Sequence, residues 1–211
     1  MEWNAVLLLG AYHGINPAMG WLFAVALGMQ QGSARGVWRA LPPIALGHAV
    51  AVGAVLLAGA LAQMVVRLAI IKVVVAAVLI AFGMYRLWRH NHPRFGGMQV
   101  GFRDLTIWSF LMATAHGAGL MVLPFVIAMS EHVMAADGGH HHDLGAAGAG
   151  VPWLAALALG LHTLAYLCVL AFIAWIVYRK VGLALLRRAW LNLDWLWAGA
   201  LIVTGVLIFF L

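Results

Sequence analysis

Residues 7–23 read LLLGAYHGINPAMGWLF, and residues 110–126 read FLMATAHGAGLMVLPFV. Each is an apolar run in which a histidine is followed at once by a glycine, with a proline further on. Ionisable side chains and helix breakers are costly in hydrocarbon, so where they interrupt a membrane span they mark a site by default. The two runs therefore predict two membrane-crossing helices that carry His13 and His116 at matching places, with Gly14, Pro17, Gly117 and Pro124 as helix breaks.

Composition extends this reading to the whole chain. Of 211 residues, 65% are hydrophobic and 9% charged, against roughly 45–50% and 25% in soluble domains. Apolar stretches of the length a span needs, about 20 residues, can be laid out six times, at 4–30, 41–63, 68–88, 106–130, 152–177 and 189–211. The connections are too short for a separate soluble domain. No cationic leader precedes the first run and no small-residue cleavage site follows it, so that helix is expected to stay. The single cysteine, Cys168, lies inside the fifth run, where it excludes an internal disulfide or a CxxC motif and reads as packing.

The basic residues orient the spans. Arg35, Arg39, Arg86, Arg89, Arg94, Arg103, Arg179, Lys180, Arg187 and Arg188 fall on one face and only Arg67 and Lys72 on the other, which accounts for all 12. By the positive-inside rule the face with ten is cytoplasmic, both termini are extracytoplasmic, and the loops near 64–67 and 131–151 lie outside. The high pI then needs no nucleic-acid partner. The expected location is the inner (plasma) membrane of a bacterium, with the lipid bilayer as the surrounding partner. The oligomeric state is left open, a homo-oligomer included.

The two halves match beyond the opening pair. Ala45-Leu-Gly-His48 resembles Ala158-Leu-Gly-Leu-His162, and Leu79-Ile-Ala-Phe-Gly83 resembles Leu201-Ile-Val-Thr-Gly205. Three helices make one repeat, and an odd number of crossings sends the second copy in from the opposite side. The expected fold is an all-α integral membrane protein of six transmembrane helices in two inverted three-helix repeats. It forms a single membrane domain over 1–211: repeat one at 4–88, a cytoplasmic linker at 89–105, and repeat two at 106–211, which includes the outer loop 131–151. Glycines such as Gly10, Gly47, Gly59 and Gly119 suit close helix contact where lipid supplies no hydrophobic drive. Pro42, Pro43 and Pro152 fall at the starts of spans, where a missing N–H costs little. Tryptophans near span ends, Trp3, Trp38, Trp88, Trp108 and Trp153 among them, read as an interfacial belt.

At about 1.5 Å per helical residue, His13, His48, His116 and His162 all reach one central layer of the bilayer. A lone intramembrane histidine can serve simply as a helix–helix hydrogen-bond donor. Four of them, in helices paired by the repeat and beside helix breaks, point to a site instead. Imidazole is a ligand for zinc, nickel, cobalt and copper, and the layer holds no carboxylate of the kind Mg²⁺ or Ca²⁺ prefers. The four histidines are therefore candidate ligands of a divalent transition metal, as substrate or bound ion. Asn16, Met19 and Met121 are neighbouring candidates for orienting a ring or touching the substrate. A second candidate metal-binding cluster lies in the outer loop: His132, Asp137, His140, His141, His142 and Asp143, in a tract that equally suits a solvated polar loop. His90 and His92 sit among arginines and read as interfacial anchors. Lys72 and Asp194 occupy equivalent places in the two repeats. Inversion sends them towards opposite faces, which argues for snorkelling or separate gate contacts over a mutual ion pair.

Gly32-Ser-Ala-Arg-Gly36, Ile44-Ala-Leu-Gly-His-Ala-Val50 and Ile71-Lys-Val-Val-Val-Ala-Ala-Val-Leu-Ile-Ala-Phe-Gly83 resemble, in order and spacing, the first half of the lysine-exporter superfamily of small six-helix transporters. That resemblance implies a small six-helix transporter, with the direction of transport left open. Where the amino-acid exporters of the family have a Pro-Gly-Pro-like and an Asn-Pro-Lys-like element, this chain has His13-Gly-Ile-Asn-Pro17 and His116-Gly-Ala-Gly119. The substitution favours the metal-exporting branches, whose own histidine and aspartate motif is not reproduced. The expected function is secondary transport of a divalent transition-metal ion, driven by ion or proton gradients because no nucleotide-binding motif is present. Two alternatives stay open: export of a small organic solute or amino acid, and a membrane-embedded metal- or haem-binding redox protein. A purely structural subunit would leave the histidines replaceable. Transport is favoured over enzymatic activity.

Overall fold

A chain this apolar must satisfy its backbone polar groups internally, and the helix does so within one segment. The structure, a computed structural model, describes residues 2–63, 67–88, 101–136, 144–181, 198–199 and 201–208. Among the described residues it is helical without strands. In chain order come α1 (Glu2–Ile15), a 3₁₀ turn (Pro17–Met19), α2 (Trp21–Gln30), α3 (Ala34–Gln63), α4 (Leu68–Trp88), α5 (Phe102–Ala115), α6 (Ala118–Ala136) and α7 (Leu144–Ile176), which ends in a π turn (Val177–Val181). A last helical segment occupies 201–207. Among the described residues two helices are long and apolar enough to cross a membrane, Ala34–Ala62 and Pro152–Lys180. The pair Phe102–Ala115 and Ala118–Val133, bent by 62°, adds a third if it is one span. Trp21–Gln30 and Ala69–Tyr85 are shorter apolar helices.

Large apolar side chains stand exposed on the outside of the bundle, among them Leu8, Leu57, Val74, Leu164 and Phe172. Inside, small residues set the helix spacing. A Cβ on Gly14 would lie 2.6 Å from Tyr166 O, a backbone atom that cannot swing away, and Gly10, one turn earlier, abuts His162 and Ala165. The register fixes direction: 10 meets 162 and 14 meets 166, so α1 and α7 run parallel. Gly47 abuts Thr106 and Ser109, Gly119 abuts Val55 and Gly59 abuts Leu123, so α3 runs parallel to α5 and α6.

One contact repeats itself in mirror order. A Cβ on Gly83 would meet Ile202 Cγ1 at 2.6 Å and Ala198 O at 3.0 Å, and one on Gly205 would meet Ile80 Cγ1 at 2.8 Å and Ala76 O at 3.0 Å. Ile80 and Ala76 precede Gly83 by the same steps as Ile202 and Ala198 precede Gly205. The helices of α4 and the last segment thus cross antiparallel, each glycine admitting the other's isoleucine.

Several sequence expectations shift. Helix α3 begins at Ala34, so Pro42 and Pro43 lie inside it and not at its start, and Pro152 likewise lies inside α7. Cys168 is exposed on α7 and is not core packing. Lys72 pairs with Glu131 at 2.7 Å, tying the start of α4 to the end of α6. At 19% and 40% side-chain exposure, such a pair contributes at most about 1 kcal/mol, but it puts those two helix ends on one face. Asp194, His90 and His92 lie outside the described residues.

Candidate functional site

The first break is built from Asn16-Pro-Ala-Met-Gly20. Proline denies α1 its next donor, and Asn16 Oδ1 instead accepts from Ala18 N at 2.9 Å, starting the 3₁₀ turn. Gly20, at φ 130°, then redirects the chain into α2, a conformation that L side chains rarely adopt. Six successive carbonyls, Ile15 to Gly20, must find partners with no water at hand. Backbone amides of Met19, Gly20 and Ala24 take those of Asn16, Pro17 and Gly20. Aromatic side chains take the rest: Trp21 Nε1–H donates to Ile15 O at 2.8 Å, Trp108 Nε1–H to Ala18 O at 3.4 Å, and Tyr166 O–H to Met19 O at 2.5 Å. Trp108, expected in the interfacial belt, is therefore turned inward, edge-on to Phe23.

The second break is tighter. Helix α5 closes on His116, and Gly117, at φ 68°, opens α6. Pro124 lies within α6, so of the four expected break residues Pro17 and Gly117 fall in the breaks themselves. Gly14 closes α1 against Tyr166, and Pro124 is carried by a continuous helix.

Between the breaks lie the histidines, all buried. His13 of α1, His48 of α3 and His162 of α7 form a triangle, with ring centroids 5.7 Å (His13–His48), 5.1 Å (His13–His162) and 5.4 Å (His48–His162) apart. His116 is buried at the end of α5. Backbone carbonyls fix the tautomers. His13 Nδ1–H donates to Leu9 O at 2.6 Å and His116 Nδ1–H to Met112 O at 2.8 Å, the same four-residue step back in each half. His162 Nδ1–H donates across to Val6 O at 3.2 Å. A carbonyl can only accept, so each of these three rings carries its proton on Nδ1 and presents Nε2 as a lone pair. This is the arrangement in which a carbonyl orients a metal-binding imidazole.

His48 differs. Neither of its nitrogens, nor Nε2 of His162, has a hydrogen-bond partner among the described residues. Its ring is held by stacking, at 4.0 Å and 15° on Tyr166 and at 14° to His162. Among the described residues no group of three or more His, Cys, Asp or Glu side chains is arranged to hold a metal ion as it stands.

Of the neighbouring candidates, Met19 and Met121 are buried and Asn16 spends its oxygen on the cap. His132 lies on α6 with Nδ1–H on Ala128 O at 2.8 Å. Asp137, His140, His141, His142 and Asp143 lie outside the described residues. Sequence reasoning missed Tyr166, Trp21, Trp108 and Ser109, the last donating to Ile44 O at 2.6 Å. In the chain they are ordinary members of apolar spans. No family model, curated protein or solved structure matches the chain.

Proposed function

We propose that this chain is a six-helix secondary transporter with two inverted three-helix repeats, carrying a divalent transition-metal ion through a midplane site of His13, His48, His116 and His162. One observation carries the reading: three buried imidazole nitrogens, two on His48 and one on His162, have no hydrogen-bond partner among the described residues, in rings whose centroids lie 5.7 and 5.1 Å from that of His13. Leaving a buried polar atom unsatisfied costs about 1–3 kcal/mol. A cluster of such atoms is stable in hydrocarbon only as a place where something binds.

The chemistry of the donors narrows what that is. They belong to neutral imidazoles, each of which offers one ring nitrogen as a lone pair, with no carboxylate among them, which suits zinc, nickel, cobalt or copper. Zinc–nitrogen bonds of about 2.0–2.1 Å require the lone pairs to converge. His48 is free of hydrogen bonds that would oppose its turning out of the stack with His162. A ligand set completed by one ring's rotation suits cargo, which must leave again. Protonation of the released rings is the natural coupling to a proton gradient.

The helix directions support the repeat. Parallel α1 and α7, parallel α3 and α5–α6, antiparallel α4 and last segment, and the Lys72–Glu131 pair all agree with alternating crossings and with the charge-based orientation, termini outside. Membership in the lysine-exporter superfamily rests on the sequence strings alone. A second reading, export of a small organic solute hydrogen-bonded by the same rings, is favoured because no group among the described residues is arranged to hold a metal ion.

Elemental analysis of protein purified without metal-affinity resin, then loaded with zinc, nickel, cobalt or copper, separates the two. The metal reading expects bound ion in the wild type and its loss in the His13→Ala, His116→Ala double variant. Equal metal content in both, or none in either, overturns it.

A further inference from the structure

Tyr166 is among the largest side chains wholly buried in the molecule, and it touches two things that transport must move. One face of its ring lies on His48, closer than either neighbouring histidine. Its hydroxyl donates to Met19 O, at the end of the 3₁₀ turn that breaks the first span. In an unbroken helix that carbonyl would accept from the amide four residues on. Here a side chain from α7 takes it, so closing the break means surrendering this bond. Trp21 and Trp108 hold other carbonyls of the break, and Tyr166 in addition stacks on a ring of the cluster.

We infer that Tyr166 is a positioning residue that couples occupancy of the histidine cluster to the conformation of the first helix break. The inference rests on reading the cluster as the cargo site. The ring sets the plane of His48, the one histidine whose orientation no hydrogen bond fixes. When His48 turns to meet an ion, it leaves or slides along the face of Tyr166, and the hydroxyl passes that displacement to Met19. Gly14 sharpens the linkage: its missing Cβ lets α1 lie against the Tyr166 backbone, so the tyrosine cannot shift without the segment that leads into the break.

The test uses full-length protein with Cys168→Ser and a reporter cysteine at Ala18. Co²⁺ binding is read by its visible absorption, and exposure of the break by the rate of thiol labelling with and without Co²⁺. In the wild-type background Co²⁺ is expected to change the labelling rate. Tyr166→Phe keeps the stack and loses the hydroxyl, so it still binds Co²⁺ but its labelling no longer responds to the ion. Tyr166→Leu loses the stack as well, weakening Co²⁺ by about tenfold or more, as loss of a ligand's supporting partner does, with an altered spectrum. A metal-dependent labelling rate in Tyr166→Phe equal to the wild type overturns the inference, as does unchanged affinity and spectrum in Tyr166→Leu. Should the wild type bind no Co²⁺, the metal reading fails by itself. The coupling then stands on metal-free labelling, faster in Tyr166→Phe if the hydroxyl holds the break and overturned if the rates are equal.

Discussion

At the scale of single residues, the molecule separates groups whose geometry is pinned from one that is not. His13, His116 and His162 have their tautomers set by carbonyls, and His48 rests between aromatic faces. His48→Ala removes the ring stacked on Tyr166, and the proposed metal site predicts loss of metal binding without loss of fold, read by elemental analysis beside circular dichroism. Gly14→Ala does the reverse. Its Cβ meets backbone at 2.6 Å, so α1 must back away from α7, at a cost of about 1–3 kcal/mol seen as a lower melting midpoint in detergent. Gly53→Ala, which meets only Leu159 Cδ2 at 3.4 Å, is the matched control and should be near neutral. The histidines were legible in the sequence because a titratable ring in an apolar run is conspicuous. Tyr166 was not, because a tyrosine in such a run is unremarkable until folding brings it over His48.

At the scale of elements, the breaks differ in kind. The first is a five-residue detour with its own cap and three aromatic donors. The second is a turn through one left-handed glycine. Gly117→Ala then costs about 1–2 kcal/mol of backbone strain. Gly20→Ala costs more, because φ 130° is less accessible still and its Cβ would strike Ile44 Cγ2 at 2.7 Å. Thermal unfolding of the two variants side by side checks the order. Asn16→Ala removes the cap, a loss of about 1 kcal/mol seen as a lower unfolding midpoint. The break at Pro17 could be read ahead because asparagine, proline and glycine cluster there. Pro42, Pro43 and Pro124 misled in the other direction: an apolar helix packed on its neighbours tolerates a missing donor, and no local pattern says which proline will break and which will ride.

At the scale of the whole molecule, the helix directions make a claim about sidedness. In a Cys168→Ser background, cysteines at Arg67 and Val133 are expected to label with a membrane-impermeant reagent from one side and a cysteine at Arg35 from the other; labelling of all three from one side contradicts alternating crossings. The proposed repeat is read from ordered likenesses in the sequence. The crossing of Gly83 and Gly205 was visible only as a likeness, since nothing in two short strings says that they will meet each other. The packing of α1 on α7 carries a consequence for biosynthesis. His13 is made early, while His162 and Tyr166, which complete its surroundings, are added some 150 residues later, roughly eight to thirty seconds at a translation rate of 5–20 residues per second. For that interval the ribosome holds a chain whose first histidine has no cage to join, so the histidine cluster cannot assemble until the second half of the chain has followed the first.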